Sequence, residues 1–544
     1  LTPESQEFLN RDYLLPGQTL DQRVDIICNR AEEILQMPGF AARFKHSVRM
    51  GWNSLSTPIW ANFGTDRGLP ISCFGSHMAD DTASILRAAA EVGIMTKYGG
   101  GTSAYFGELR GRKKPIRNNG TSSGSVHFMQ IYECMINVIS QGSTRRGNFA
   151  GYLPIWHDDV EEFLTIRTEG NPLQLISFGV TVPDWWLQEM IDGDQTKRGI
   201  WAKVLEARSA TGYPYIVFID NVNNNKPDVY KDLGLEILDS NLCSEIMLPK
   251  SASESFVCDL ASMNVRYFDE WKETDAVELL VYFLDAVMSE FIDKASQIEF
   301  MERPTRFAER HRALGIGQMG WHSLLQSKMI AFESFEAKLL NVKIAKTIQA
   351  QAYAASAKMA AEYGEPELLK GYGRRHTTLL AIAPTKSSAF ILGQSSEAVE
   401  PWRSNYDIKD LAKGRFTVRN PHLAELLKEK GRDSEAVWQS IAERGGSVQH
   451  LDFLSDHEKL VFRTMGEISQ REIVIQAAQR QKFIDQSQSL NLWIDSRTSP
   501  KDVNALILEA WRLGVKSLYY QINVNAAQEF ARAQNLMECS SCEA

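Results

Sequence analysis

Short β-prone runs alternate with long helical periodicities along most of this chain, and that alternation constrains its fold more than any other feature. Residues 215–219, 377–382 and 517–521 read as buried strands, while 275–295, 333–362 and 456–481 carry apolar positions at helical spacing. Alternation of this kind predicts an α/β barrel or a doubly wound sheet. Leu20, Val24, Ile27, Ala31 and Ile34 recur at helical spacing after a Pro16-Gly17 turn. A second helix fits 79–98 and is stopped by Gly99-Gly100-Gly101. There is no internal repeat and no low-complexity block.

Composition narrows the class further. With 544 residues, 44% apolar and 23% charged, the chain matches ordinary globular proteins and excludes disordered, collagen-like and coiled-coil classes. Length alone fits three to four domains of roughly 150 residues, or one large barrel. Fifty-nine basic against 68 acidic residues leave a net charge of -9, which argues against a phosphate-tracking stripe and so against nucleic acid as the main partner. The apolar run 279–284 ends at Asp285, well short of the ~18 residues a membrane span needs, so no membrane association is expected. No basic segment followed by an apolar one opens the chain, and seven cysteines in 544 residues are too sparse for a secreted disulfide scaffold. Both point to a cytoplasmic protein with reduced thiols.

The chemistry concentrates in a few segments. Asn241-Leu242-Cys243-Ser244-Glu245 is the most informative: in an extended or finger-like segment the two-residue period sets Asn241, Cys243 and Glu245 on one face. That offers an amide, a thiol and a carboxylate to one small volume. The plainer alternative is a buried cysteine flanked by polar turn residues. Cys73 and Cys258 both stand in β-prone runs; two thiols can supply two electrons by closing a disulfide if their Cα atoms come within ~7 Å, and are otherwise separate core residues. Cys539-Ser540-Ser541-Cys542 is a C-x-x-C pair on a polar tail. It suits thiol exchange better than zinc, for which only His450 and His457 are nearby, and no metal site is expected.

Tyr519 and Tyr520 are adjacent phenols at a predicted strand end, where strand alternation would send one to the core and one to the surface. Pro384-Thr385-Lys386-Ser387-Ser388 follows a hydrophobic run and reads as a strand leading into a helix N-terminus, with hydroxyls as caps and amides pointing outward. Such a turn can cradle phosphate, or be an ordinary capped helix. Neither Gly99-Gly100-Gly101 nor Gly170-Asn171-Pro172 matches a dinucleotide or Walker fingerprint.

Taken together and in this order, these segments resemble the catalytic large subunit of class I ribonucleotide reductase over nearly the whole chain. Thr57-Pro58, the segment 117–124, and Gly315-Ile316-Gly317 after His311-Arg312 extend the resemblance. It implies a ten-stranded α/β barrel made of two five-stranded parallel halves with a central finger loop. The implied organisation is an N-terminal helical segment over 1–45, the barrel over 46–524 and a flexible redox tail over 525–544.

By the same resemblance, Cys243 becomes a thiyl radical that abstracts the 3′-hydrogen of a ribonucleotide. Glu245 takes the 3′-hydroxyl proton, and Asn241 hydrogen-bonds the sugar. Cys73 and Cys258 then reduce the sugar and end as a disulfide, which Cys539 and Cys542 re-reduce, with thioredoxin or glutaredoxin as external reductant. Tyr519 and Tyr520 match a pair that relays the radical from a separate, metal-containing small subunit, so no cofactor is expected in this chain itself. Substrate phosphates are expected on Pro384, Thr385, Lys386, Ser387 and Ser388, with Thr57, Ser72 and Gly101 lining the pocket. A dNTP or ATP effector is expected on Asp80, Arg110 and Arg117 at a homodimer interface, with 168–179 as the loop that reads it.

One departure is the absence of an N-terminal ATP cone ahead of Leu1-Thr2-Pro3-Glu4, which predicts no cone-based dATP shut-off and suggests a compact bacterial or viral version. The runner-up is an adenosylcobalamin-dependent class II reductase, because Lys386 and Phe390 depart from the commonest class I wording of the phosphate loop. A rival of another class is an inactive nucleotide-binding regulatory relative, which would have no use for so many thiols and phenols in these places.

Overall fold

The computed structural model describes residues 3–141, 146–393, 395–411 and 414–524. Thirteen strands run in chain order. They are β1 (Asn53–Leu55), β2 (Cys73–Ser76), β3 (Gly101–Tyr105), β4 (Phe149–Pro154), β5 (Ser177–Val182) and β6 (Tyr215–Phe218), then β7 (Phe256–Asn264) and β8 (Leu314–Met319), then β9 (Tyr406–Leu411), β10 (Gly414–Arg419), β11 (Leu492–Asp495), β12 (Ser517–Leu518) and β13 (Gln521–Val524).

β2 to β6 pair in sequence order and all in parallel, which forms one half of a barrel. Helices Thr82–Lys97, Ser125–Val138 and Gln195–Thr211 fall within its crossovers. In the other half β7 pairs in parallel with β8, and β8 with the extended segment 379–382 through an Ile316–Leu380 bridge. That segment pairs in parallel with 487–489, where Ile382 N–H donates to Ser487 O and Ser489 N–H to Ile382 O. The segment continues beside 517–520, where Tyr519 N–H donates to Leu490 O and Leu492 N–H to Tyr520 O. Antiparallel seams join the halves: β2 meets β7 on one side and β6 meets β12 on the other. The ring is therefore closed, five parallel segments against five, as the resemblance implied. β1 adds to β7 as an antiparallel edge.

The strands read as near-continuous apolar runs because parallel sheets are covered on both faces. Phe178, Val180 and Val182 on one strand, and Ile216 and Phe218 on the next, are wholly buried. Helix Ala276–Ala295, with Val277, Leu280, Val281, Leu284 and Val287 buried, packs against helix Phe335–Tyr363 and β7. At the N-terminal end, helices Pro3–Asp12, Leu20–Leu35 and Phe40–Arg49 share the barrel's hydrophobic core, and the third runs past the expected boundary at residue 45. A capping box holds the second: Thr19 Oγ1 accepts from Gln22 N–H, and Gln22 Oε1 from Thr19 N–H.

Two expectations need correction. The helix predicted over 456–481 is two helices, Asp456–Val461 and Gln470–Gln481. Between them the Glu467 carboxylate accepts from Thr464 N–H and Oγ1, while Met465 N–H donates to Trp402 O, so local and tertiary partners replace helical ones. Leu423, Leu427, Trp438, Ile441 and Phe462 form a second, small core beside the β9–β10 hairpin, which the single expected barrel unit did not foresee. Among the described residues no helix is long and apolar enough to cross a membrane.

Candidate active site

The finger segment enters the barrel between β6 and β7. Of the two expected forms, extended or finger-like, it takes the second. Ser244 N–H donates to Asn241 O at 3.3 Å, which makes Leu242 and Cys243 the centre of a turn, and Ser244 stands at φ +64° in the left-handed region. The Asn241 side chain fixes this turn, because its Oδ1 accepts from Glu245 N–H at 3.0 Å and Ile246 N–H at 3.1 Å. Convergence of the three polar groups is thus the work of an Asn-stabilised turn rather than of a strand face.

The surrounding strands grip the loop by its backbone. Tyr152 Oη on β4 donates to Asn241 O at 2.6 Å, Ser489 Oγ to Cys243 O at 2.6 Å, and Ser517 Oγ to Ser244 O at 2.7 Å. At the base of the loop Lys250 Nζ donates to Asp239 Oδ2 at 2.6 Å, both side chains being wholly buried. Cys243 sits at the turn with 2% of its surface exposed.

Cys73 and Cys258 are direct partners across the antiparallel β2–β7 seam. Residues directly opposite have Cα atoms roughly 4.5–5.5 Å apart, within reach of a disulfide. Asn241 Nδ2 donates to Cys73 Sγ at 3.4 Å, tying the finger loop to this pair. Gln486 Nε2 donates to Cys258 Sγ at 3.5 Å while its Oε1 accepts from Met247 N–H, so one amide joins the second thiol to the other side of the loop. Burial pushes the Cys258 thiol well above its ordinary value, which keeps it protonated at neutral pH.

Glu245 is wholly buried, and desolvation raises its carboxyl to about 7, against lowering contributions from its own backbone and the Asn241 and Ser489 side chains. Ser489 Oγ lies 3.1 Å from Glu245 Oε2. A carboxyl poised near neutrality is suited to general-base work.

The other expected residues lie around this centre in varying degrees. Ser72 Oγ is 3.6 Å from Cys73 Sγ, and Gly101 N–H donates to Ser72 O at 2.7 Å. A Cβ on Gly101 would stand 3.1 Å from Leu242 Cδ2 and 3.3 Å from Ser72 O, so a larger residue there would require these neighbours to give by a few tenths of an ångström. Thr57 is buried at the start of helix Thr57–Asn62. Pro384 and Thr385 follow the 379–382 segment and lead into helix Lys386–Ile391. Its cap is not the hydroxyl type expected: Thr385 has φ +52° and makes no side-chain cap bond, and its Oγ1 accepts from Ala398 N–H at 2.7 Å. Ser388 Oγ reaches Leu55 O on β1 at 3.5 Å, Ser387 is buried, and Lys386 is half-buried beside a cleft with Glu397, Trp402 and Arg403.

Tyr519 and Tyr520 occupy the break between β12 and β13. Because that stretch is not regular strand, the two rings do not point apart, as alternation would have them; their centroids are 4.1 Å apart at 48°. Tyr519 is wholly buried and Tyr520 half-buried. Arg208, itself fully buried, donates to Tyr519 O at 3.0 Å. Sequence reasoning missed Tyr213 and Tyr215, which pack on this pair; two tyrosines two apart where the chain enters β6 were the available signal.

In the segments that follow β2, β3 and β4, a cavity of about 450 Å³ is lined by Asp80, Arg110, Lys114, Trp156 and Asp158 among others. Arg110 Nε donates to Asp80 Oδ2 at 2.6 Å. Arg117 does not line it and is exposed on the turn closed by the Pro115–Thr121 bridge. The expected 168–179 loop is shorter, since β5 begins at Ser177. The Glu133 carboxylate holds it from helix Ser125–Val138, accepting from Gln174, Leu175 and Ile176 N–H. Cys539 and Cys542 lie outside the described residues.

Comparison with known proteins places this architecture. The family described as "Ribonucleotide reductase, barrel domain" matches residues 71–197, 189–368 and 365–521. A solved Actinobacillus ureae class Id ribonucleotide reductase alpha subunit superposes with a TM-score of 0.92, at 52% identity over 99% of each chain. The ribonucleoside-diphosphate reductase large subunit of Invertebrate iridescent virus 3 is 34% identical over 557 residues, covering 88% of this chain and 87% of its own. The corresponding zebrafish (Danio rerio) large subunit is 29% identical over 550 residues, covering 86% and 68%. Barrel, finger loop and seam thus agree with the matches in saying that this chain belongs to the ribonucleotide reductase large-subunit family.

Proposed function

We propose that the chain reduces ribonucleoside diphosphates to deoxyribonucleotides, as the catalytic partner of a small subunit that generates a radical. The observation that carries this reading is the β2–β7 seam, which sets Cys73 opposite Cys258 while Asn241 of the Cys243 turn donates to Cys73. Cys243, as a thiyl, takes the 3′-hydrogen, and Glu245 accepts the 3′-hydroxyl proton. The 2′-hydroxyl leaves as water, with Cys73 and Cys258 supplying two electrons and two protons and becoming a disulfide. The 3′-hydrogen then returns to the sugar, which regenerates the thiyl, and Glu245 gives its proton back to the 3′-oxygen. Asn241 orients the sugar.

Tyr520 and Tyr519 carry the oxidising equivalent inward, a role supported by the 4.1 Å approach of their ring centroids. The substrate diphosphate rests on 384–388, with Thr57, Ser72 and Gly101 as the pocket wall. A dNTP or ATP effector occupies the Asp80–Arg110 cavity, read by the loop ahead of β5 in a homodimer. Cys539 and Cys542 exchange with the buried disulfide and are themselves reduced by thioredoxin or glutaredoxin.

The likeness to a class I alpha subunit favours a protein partner over adenosylcobalamin as the radical source. The test mixes the purified chain with cytidine diphosphate, ATP and dithiothreitol, adding the class Id small subunit in one tube and adenosylcobalamin in another. Deoxycytidine diphosphate in the first tube alone is the expected result; product in the second alone would move the chain to class II. Single turnover without reductant in the Cys539→Ser, Cys542→Ser variant, whose tail cannot exchange, should leave a Cys73–Cys258 disulfide in peptide maps, and its absence after product formation would remove the assigned electron source.

A further inference from the structure

Tyr519 and Tyr520 do not form an isolated pair. Tyr215 on β6 lies 4.8 Å from Tyr519 and 5.3 Å from Tyr520 between ring centroids, and Tyr213 lies 5.1 Å from Tyr520. Tyr213 and Tyr520 are also joined oxygen to oxygen, along the route of a proton: Tyr213 Oη donates to Tyr520 Oη at 3.2 Å. Tyr213 is itself nearly wholly buried.

The ring of Tyr213 is held by the segment leading into β5. Phe178 stacks on it at 5.3 Å and 13°, Ser177 Oγ is 3.3 Å from its hydroxyl, and the Arg167 guanidinium stands 4.7 Å over its face. Arg167 is fastened there by bonds to Leu175 O at 2.6 Å and Ile176 O at 2.8 Å. A cation over the ring disfavours losing an electron ahead of the proton, since that would put two positive charges together. It leaves transfer of the electron and proton together along the hydrogen bond as the accessible route.

We infer that Tyr213 is a third redox-active phenol, a side branch that exchanges a hydrogen atom with Tyr520. The inference rests on the relay role proposed for Tyr520. In the exchange the Tyr520 phenoxyl oxygen gains one hydrogen atom, forming an O–H bond, and the Tyr213 O–H bond breaks to leave its phenoxyl. The oxidising equivalent is the one the small subunit delivers, and none is created or lost. Exchange between Tyr213 and Tyr520 holds the radical beside the Tyr520–Tyr519 pair without itself advancing it toward Cys243; Tyr215, 5.2 Å from the Tyr213 ring and 4.8 Å from that of Tyr519, is packed on both. The reach of Arg167, Ser177 and Phe178 makes the store sensitive to the shape of the 168–176 loop.

The test replaces single tyrosines by 3-aminotyrosine, which keeps ring and hydroxyl and traps a radical that visits it. The full chain is assembled with a small subunit that supports turnover, cytidine diphosphate and ATP, and read by electron paramagnetic resonance. An aminotyrosyl signal at 213 within about tenfold of that at 520 is expected, because the phenols differ chiefly in their surroundings and a tenfold ratio corresponds to only ~1.4 kcal/mol. In the 520-substituted protein, Tyr213→Phe should remove one exchangeable-deuteron coupling from the 520 radical. A signal at 520 with none at 213 would overturn the branch and leave the relay intact, as would an equal signal from the remote Tyr282. Silence at both 520 and 213 would instead overturn the relay reading itself, and the branch with it.

Discussion

Glu245 is the residue whose environment has the sharpest chemical consequence. A carboxyl raised to about 7 by burial is half ionised near neutrality, so turnover limited by this base should rise with pH along an acid limb centred near 7. Glu245→Gln should lower kcat by about 10²–10⁴ and abolish that limb. Stability moves the opposite way. The folded state holds this proton more tightly than the unfolded chain, so the stabilisation is complete below the unfolded value of about 4.3, lost progressively as pH rises to 7, and level above. The shift corresponds to about 3 kcal/mol, and urea titrations of wild type and Glu245→Gln from pH 4 to 8 should show that slope in the former only. Cys243→Ser should eliminate product while leaving the unfolding midpoint nearly unchanged, since serine fits the same turn. At this scale the sequence named nearly every group at the centre: Asn241, Cys243, Glu245, Cys73 and Cys258. It missed Ser489, Gln486 and Tyr213, because what they touch is set by strand neighbours hundreds of positions away and no local period encodes that.

Among the elements, the finger loop depends on its base. The buried Asp239–Lys250 pair joins the two ends of the segment that carries Cys243. Removing one partner of a buried pair leaves an uncompensated charge, so Lys250→Met should destabilise the protein by about 3–5 kcal/mol, with the Asp239→Leu, Lys250→Met double variant recovering much of it. Thermal unfolding of the three proteins provides the measurement. Elements of strong periodicity were legible in the sequence: Leu20–Leu35, Ala276–Ala295 and Phe335–Tyr363 lie within a few residues of their expected bounds. The turn at 241–244 was not, because alternation describes a strand, whereas here an asparagine side chain overrides the backbone. Of the strand expected over 377–382, the part 379–382 pairs as one, through single bridges, its neighbours being equally short.

For the whole molecule, the cavity at Asp80 and Arg110 lies beyond the C-terminal ends of β2, β3 and β4 and is lined by none of the cysteines. Trp156, 52% exposed at its wall, supplies a reporter. Adding dATP or dTTP should change its fluorescence, Trp156→Phe should remove the change, and Arg110→Ala should weaken the titration by roughly ten- to hundredfold, as expected for losing a charge-assisted contact of about 1.5–3 kcal/mol. A titration unaffected by Arg110→Ala would place the effector elsewhere. The closed ring itself was reached from family resemblance; alternating strands and helices alone leave barrel and open sheet equally possible, since closure depends on seams between distant segments.

Those seams have one more consequence. Cys73 and Cys258 are 4% and 0% exposed, locked in register where two sheets running opposite ways meet. A couple walled in like this cannot be recharged by collision with a folded donor. Only something slender, a length of polypeptide or a small dithiol, can be threaded down to it, and the tempo of repeated cycles is then governed by that visitor's comings and goings.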